Sequence, residues 1–180
     1  MKKLLFITVF ISVTFSLIAQ VDTTAVKTPE GICAAMLAFI SFEKNEVKDW
    51  DDFRNLFLPT AHLMSFRFQP GESLSKQAKN LTLEEFVRYF GPGYPKNGFE
   101  EYVIGLEVKE FNGIASVFQS FYCKTLNGSY EARGVNAYQL VYLNNRWWIA
   151  HSMFTNETED SKLPNDLLFE KYQNRSDENK

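Results

Sequence analysis

The stretch Gly98–Glu157, GFEEYVIGLEVKEFNGIASVFQSFYCKTLNGSYEARGVNAYQLVYLNNRWWIAHSMFTNE, decides the fold. It divides into four strand-like runs, Phe99 to Phe111, Ile114 to Leu126, Tyr130 to Leu143 and Arg146 to Thr155. Each is rich in β-branched and aromatic residues. The breaks between them are Asn112-Gly113, Asn127-Gly128-Ser129 and Asn144-Asn145, residue types that accept the positive φ of hairpin turns. Four strands joined by tight turns make a curved antiparallel meander.

Upstream, the pattern changes to helical spacing. Pro29 and Glu30 open a segment in which Ile32, Ala35, Met36, Phe39, Ile40 and Glu43 recur on one face, which predicts an amphipathic first helix. Asp49 caps a second helix over Trp50 to Phe57, with Phe53, Leu56 and Phe57 on one side and Pro59 as its stop. The alternation from Ala61 to Phe68 predicts a strand, and Gln69 to Asn80 reads as polar loop. Thr82 with Glu85 forms a capping box for a third helix through Phe90, which Gly91-Pro92-Gly93 ends before a loop over Tyr94 to Gly98. Helices first and a meander afterwards give an α+β domain with the helices on one face of the sheet.

The first nineteen residues stand apart. Lys2-Lys3, the apolar run Leu4 to Leu17 and the small Ala19 have the form of a signal peptide, so an exported chain beginning at Gln20 is expected, periplasmic or secreted from a bacterium. That run is shorter than the ~20 apolar residues that span a bilayer, so no stable membrane insertion is expected once the leader is removed. The remaining chain holds 17 basic residues against 22 acidic ones, scattered without a patch, which argues against a nucleic-acid partner. The domain is expected over 28–158, followed by a polar tail over 159–180. Aromatic residues make up 16% of the chain, with 17 Phe, enough for a substantial core without a disulfide. Cys33 and Cys123 lie among apolar neighbours and read as free buried thiols. They do not combine with His62 and His151 at the spacing of a zinc site, and neither a phosphate loop nor a nucleophile elbow is present, so no metal and no cofactor is expected.

From Thr28 to Glu157 the chain resembles the nuclear transport factor 2-like superfamily, in particular its SnoaL-like and ketosteroid-isomerase-like bacterial branch. The resemblance is carried by Asp49-Trp50-Asp51-Asp52-Phe53-Arg54 leading to Leu56-Phe57 and Ala61, by Gly98-Phe99-Glu100-Glu101, and by Ile114-Ala115-Ser116-Val117. Arg133-Gly134-Val135-Asn136 with Gln139-Leu140, and Arg146-Trp147-Trp148-Ile149 with Glu157, complete it. It implies a cone-shaped curved antiparallel sheet, covered on its concave face by three N-terminal helices around a central pocket, and a homodimer formed through the sheet. It is most like a secreted subgroup with no assigned reaction. Enzymes of the superfamily place an Asp base on the strand after helix two, where this chain carries Ser65. A hydroxyl does not hold a proton reversibly near neutral pH. The partner Tyr of helix one has no counterpart near Phe39 to Phe42, and the second acid falls near Tyr138 or Gln139.

The remaining polar candidates are weighed by strand parity. Gln139 shares parity with Val135, Ala137 and Val141 and is expected, in preference to Asn136, as the lone amide of a pocket wall. His151 shares parity with Trp147, Ile149 and Met153, which would turn it inward as a base, although a satisfied histidine is the commoner case. Arg67 and Arg133 are candidates to clamp a ligand carboxylate, with an ion pair as the structural alternative for Arg133. Glu101 and Glu157 are either paired acids or ion-pair partners of Arg133 and Arg146. The reading that follows is an exported, non-catalytic, dimeric domain that binds a small, largely apolar molecule. Its alternative is a lyase, isomerase or hydrolase working through His151, Glu101 or Arg133.

Overall fold

The computed structural model of the chain describes residues 24–67 and 71–173, so the expected leader at 1–19 lies outside the described residues. A single 3-10 turn at Ala25–Lys27 precedes α1, Pro29–Ile40. Thr28 caps α1 by accepting a hydrogen bond from the Gly31 N–H, and Pro29 occupies the first turn, where its missing N–H costs nothing. Ile32, Cys33, Met36, Leu37 and Ile40 are buried along one stripe.

α2 is shorter than expected, Trp50–Arg54. The Asp49 carboxylate caps it at Asp51 N, but the chain leaves the helix at Asn55 and enters β1, Phe57–Phe66, directly. Pro59 therefore sits inside a strand rather than ending a helix. It is tolerated there because the β1 ladder is irregular between Phe57 and His62, where no pairing N–H is demanded. The expected loop from Gln69 also holds structure, namely α3, Leu74–Gln77, and β2, Ala78–Thr82. β2 is an edge strand that buries only Leu81, which explains why its sequence reads as polar loop. α4, Leu83–Phe90, has the full capping box, with Thr82 Oγ1 accepting from Glu85 N and the Glu85 carboxylate accepting from Thr82 N. A short α5, Gly93–Asn97, replaces the expected loop before Gly98.

The meander follows as β3, Phe99–Phe111, β4, Ile114–Thr125, β5, Glu131–Leu143, and β6, Arg146–Asn156. Asn112, Asn144 and Asn145 adopt φ of 45°, 53° and 62° in the two tight turns, the backbone state for which asparagine was read. The strand order is β2-β1-β6-β5-β4-β3. All neighbours are antiparallel except β1 and β6, which run parallel, so the sheet is mixed and not wholly antiparallel. The parallel pair arises because the chain needs the whole meander to return from β1 to its neighbour. The helices pack on the concave face of this curved, unclosed sheet.

Between helices and sheet the aromatic side chains meet directly. Phe53 stacks on Phe86 at 5.3 Å and contacts Phe57 at 4.8 Å, and Tyr138 is wholly buried beside them in the same cluster. Each such ring contributes roughly 1.5–3 kcal/mol of hydrophobic stabilisation. Cys33 and Cys123 are buried and unbridged.

The segment expected as a polar tail returns to the convex face. After a 3-10 turn at Asn165–Leu167, Leu168 is buried, Phe169 N donates to Ile104 O at 2.8 Å, and α6, Glu170–Gln173, follows. Gly105 makes this possible, because a Cβ there would lie 1.8 Å from the Leu167 carbonyl oxygen.

Candidate functional site

The expected central pocket is filled. The Tyr138 hydroxyl donates to Gln119 Oε1 at 3.2 Å and lies 3.7 Å from Met36 Sδ, so the inward positions of α1, β4 and β5 close on one another. Gln119 Nε2 is buried there without a protein partner. The rim of the concave face carries an acidic group.

At that rim stands Glu101 on β3. Its backbone is pinned by Ser41 at the end of α1: Glu101 N donates to Ser41 Oγ at 3.0 Å, and Ser41 Oγ donates to Glu101 O at 3.3 Å. Its side chain crosses β4 to β5, where Asn136 Nδ2 donates to Glu101 Oε1 at 3.1 Å. Gly134 makes room beside it for the Phe121 ring, which a Cβ there would meet at 2.5 Å. Burial pushes the Glu101 carboxyl from its ordinary 4.5 up to about 7, and the Asn136 hydrogen bond only partly offsets that. The groups that feel its charge are Tyr94, Cys123, Tyr130 and Tyr138, each pushed above its ordinary range chiefly by its own burial. No described basic side chain forms an ion pair with Glu101.

Asn136, not Gln139, is therefore the inward amide. Gln139 is exposed on the convex face and accepts from Ser116 Oγ at 3.2 Å. His151 is also turned away from the interior. The register between β5 and β6 slips between Gln139 and Leu140, so that Gln139 faces His151 while Leu140 faces Ile149, leaving Ala150 as a bulge. Beyond the bulge the parity reverses: Ser152 is buried, and His151 is brought beside His62. Its pKa is lowered first by burial and then by His62. A base in the interior is thus excluded for His151.

Ser65 does lie on the concave side, in a cross-sheet row running Ser65, Phe154, Asn136, Gln119, Leu106. Ser65 on β1 is thus two strands from Asn136, the partner of Glu101. Arg67 is exposed beyond the end of β1. Burial pushes the Tyr130 hydroxyl up, and the hydrogen bond it accepts from Asn156 Nδ2 at 2.8 Å and the Arg67 charge only partly offset that. Arg133 faces outward into a separate cleft of about 480 Å³, with its Nε 3.9 Å from Glu157 Oε2. Its Nη2 is buried without a partner. Glu157 is shared with Lys162 at 3.7 Å, so Glu101 and Glu157 are not paired acids but occupy different faces. No group of three His, Cys, Asp or Glu side chains converges as a metal site among the described residues.

The convex face carries a different pattern. A polar row, His62, His151, Gln139, Ser116, Lys109, is flanked by two apolar ones. One runs Met64, Met153, Ala137, Phe118 and the other Trp148, Val141, Ile114, Phe111. Phe118, Ile114, Phe111 and Met153 are exposed. Charge on these rows is confined to the β3 edge, where Lys109 and Glu107 pair with each other.

No family model matches the chain, and no curated protein matches it. Solved structures do. A protein of unknown function with a cystatin-like fold from Nostoc punctiforme aligns with a TM-score of 0.53 at 10% identity, over 71% of this chain and 87% of that one. A Mycobacterium tuberculosis protein of unknown function aligns with a TM-score of 0.53 at 12% identity, over 75% of this chain and 74% of that one. A nuclear transport factor 2-like superfamily protein from Salmonella enterica aligns more loosely, with a TM-score of 0.48 at 12% identity over 62% of this chain and 79% of that one. Identities this low establish architecture and no activity. The fold of this chain is cystatin-like, with helices packed on a curved, unclosed six-stranded sheet.

Proposed function

We propose that the protein is an exported, non-catalytic binding domain that receives a small, largely apolar molecule at the concave rim around Glu101 and works as a homodimer through the convex face of its sheet. One observation carries the binding reading: Glu101 is a half-buried carboxyl held in place at its backbone by Ser41 and at Oε1 by a neutral amide, with no counter-cation. A largely desolvated acid without a counter-charge is unfavourable to the fold alone and favours a ligand that supplies one. The absence of turnover is inferred from Ser65 at the superfamily's acid position and from an interior filled by Tyr138 and Phe53. The dimer is inferred from the convex rows, which are apolar, nearly charge-free at their centre and able to pair with themselves about a two-fold axis.

Native mass spectrometry of the purified chain, set against its denatured mass, tests both parts together. A doubled mass with an additional non-covalent component supports the reading. A bare monomer at micromolar concentration sinks the dimer and the tight retention of a ligand.

A second reading has its own observation. An acid whose proton affinity sits near neutrality is suited to general base work, with Glu101 as the base. Turnover of the retained molecule that disappears in Glu101→Gln would establish catalysis and displace the binding reading.

A further inference from the structure

We infer that the molecule received at the concave rim is a small organic cation, an ammonium group on an apolar body, and that Glu101 is the group that meets its charge. The inference rests on the binding reading above and adds the chemistry of the ligand. It follows from what surrounds Glu101 on every side. From β5 come the Asn136 amide and the Tyr138 hydroxyl, from β4 the Cys123 thiol, from α5 the Tyr94 hydroxyl, and from the turn before β5 the Tyr130 hydroxyl. All five are neutral near pH 7. α1 contributes no charge either, since its end reaches Glu101 through Ser41 alone.

No described cation pairs with Glu101, and the charge of exposed Arg67 acts on Tyr130. Lys48 donates to the carbonyls of Ala38, Phe39 and Ser41 and pairs with Glu46, Lys124 pairs with Glu100, and Arg133 faces the opposite side of the sheet beside Glu157. One carboxylate oxygen, Oε1, is held by Asn136, and no described protein donor holds Oε2. An anionic ligand would be repelled here, and a neutral one gains at most a single hydrogen bond. An ammonium group supplies both the counter-charge and the donors, and a charge-assisted bond in a dry setting is about twice as strong as a neutral one.

The ligand class sets the pH dependence. The cation binds the ionised carboxylate, so affinity rises as pH passes upward through the Glu101 transition. With that transition at about 7, affinity at pH 8 exceeds that at pH 6 by roughly tenfold.

The experiment uses three probes of matched shape, benzylammonium, benzyl alcohol and benzoate. Each is titrated into the full ¹⁵N-labelled protein at pH 6 and pH 8, with the Asn136 side-chain amide as the reporter. The expected result is a shift of that amide with benzylammonium, about tenfold weaker at pH 6, and loss of the response in Glu101→Gln at both pH values. A benzylammonium affinity unchanged by pH in the unmodified protein, or retained in Glu101→Gln, overturns the inference; the pH arm needs no variant to fold. Benzyl alcohol or benzoate binding as tightly as benzylammonium overturns the cation and leaves the binding reading standing. Silence from all three probes overturns both.

Discussion

Replacing Glu101 by glutamine converts the buried acid into a neutral isostere and isolates the energetic consequence of its ionisation. In the folded protein the carboxyl titrates at about 7 against an ordinary 4.5. At 1.36 kcal/mol per tenfold change in proton affinity, that displacement corresponds to about 3 kcal/mol, which partial solvent access to a half-buried group reduces to roughly 1–3 kcal/mol. The sign follows from linkage. A folded-state pKa raised above the unfolded one means that the native state holds its proton longer, so this contribution is fully present below about pH 4.5. It is lost as pH rises to about 7 and stays lost above it. The wild-type protein is therefore expected to lose roughly 1–3 kcal/mol relative to Glu101→Gln between pH 4.5 and pH 8. The assay is urea unfolding of both proteins across that range, taking the difference at each pH so that titrations common to both cancel. Parallel stability curves would refute the account of Glu101 as a desolvated acid without a cation. A wild-type curve that rises against the mutant would do so more decisively, since it would show a counter-charge holding the carboxylate in its ionised form.

Phe118→Glu places a charge in the centre of the convex apolar rows and should weaken self-association at least tenfold by sedimentation velocity while leaving the far-UV circular dichroism unchanged; an unaltered dimer would move the interface elsewhere. Gly105→Ala drives a methyl into the Leu167 carbonyl and should destabilise the fold by roughly 1–3 kcal/mol, with faster proteolytic trimming of residues 163–173 as its specific signature. Thr82→Ala removes the capping-box hydroxyl of α4 and should lower stability by about 1 kcal/mol in denaturant unfolding, whereas a change below a few tenths would indicate that Glu85 alone satisfies the helix start. Tyr138→Phe leaves Gln119 Oε1 buried without its donor and should cost roughly 1–3 kcal/mol, a loss that a thermal melt would register as a drop of several degrees.

The meander was legible because every one of its signals is local. Asn-Gly and Asn-Asn turns sit between runs of matching length, and the observed bounds of β3 through β6 lie within one residue of those read from sequence. β2 was not legible, because an edge strand that buries one residue in five has no alternation to detect. Nor was the early start of β1, where a proline read as a helix stop is accommodated by an irregular ladder. The site was half legible for one reason, the bulge at Ala150. Strand parity carried from Trp147 and Ile149 turns His151 inward, and a single unpaired residue reverses that inference. In β5 the two parities are nearly equal in apolar content, so the pattern that favours Gln139 over Asn136 picks the wrong amide. What decides between them is Glu101 on a strand two positions away across the sheet, a non-local partner that no window of sequence contains.

The filled interior and the poised rim are connected physically. A pocket for a drug-sized molecule needs on the order of 300 Å³, and here that space is taken by rings in mutual contact, by Tyr138 with its hydroxyl satisfied at Gln119, and by Met36 from α1. Such packing holds β3, β4 and β5 in a fixed register, in which Glu101 and Asn136 meet across β4. It also keeps water from reaching the carboxyl from within, and this produces the raised proton affinity. An open pocket in the same cone would hydrate Glu101 and return it toward an ordinary glutamate, as exposure does for most carboxylates. Packing of the interior thus leaves a chemically distinctive group, Glu101 with its Asn136 partner, where the sheet still faces solvent.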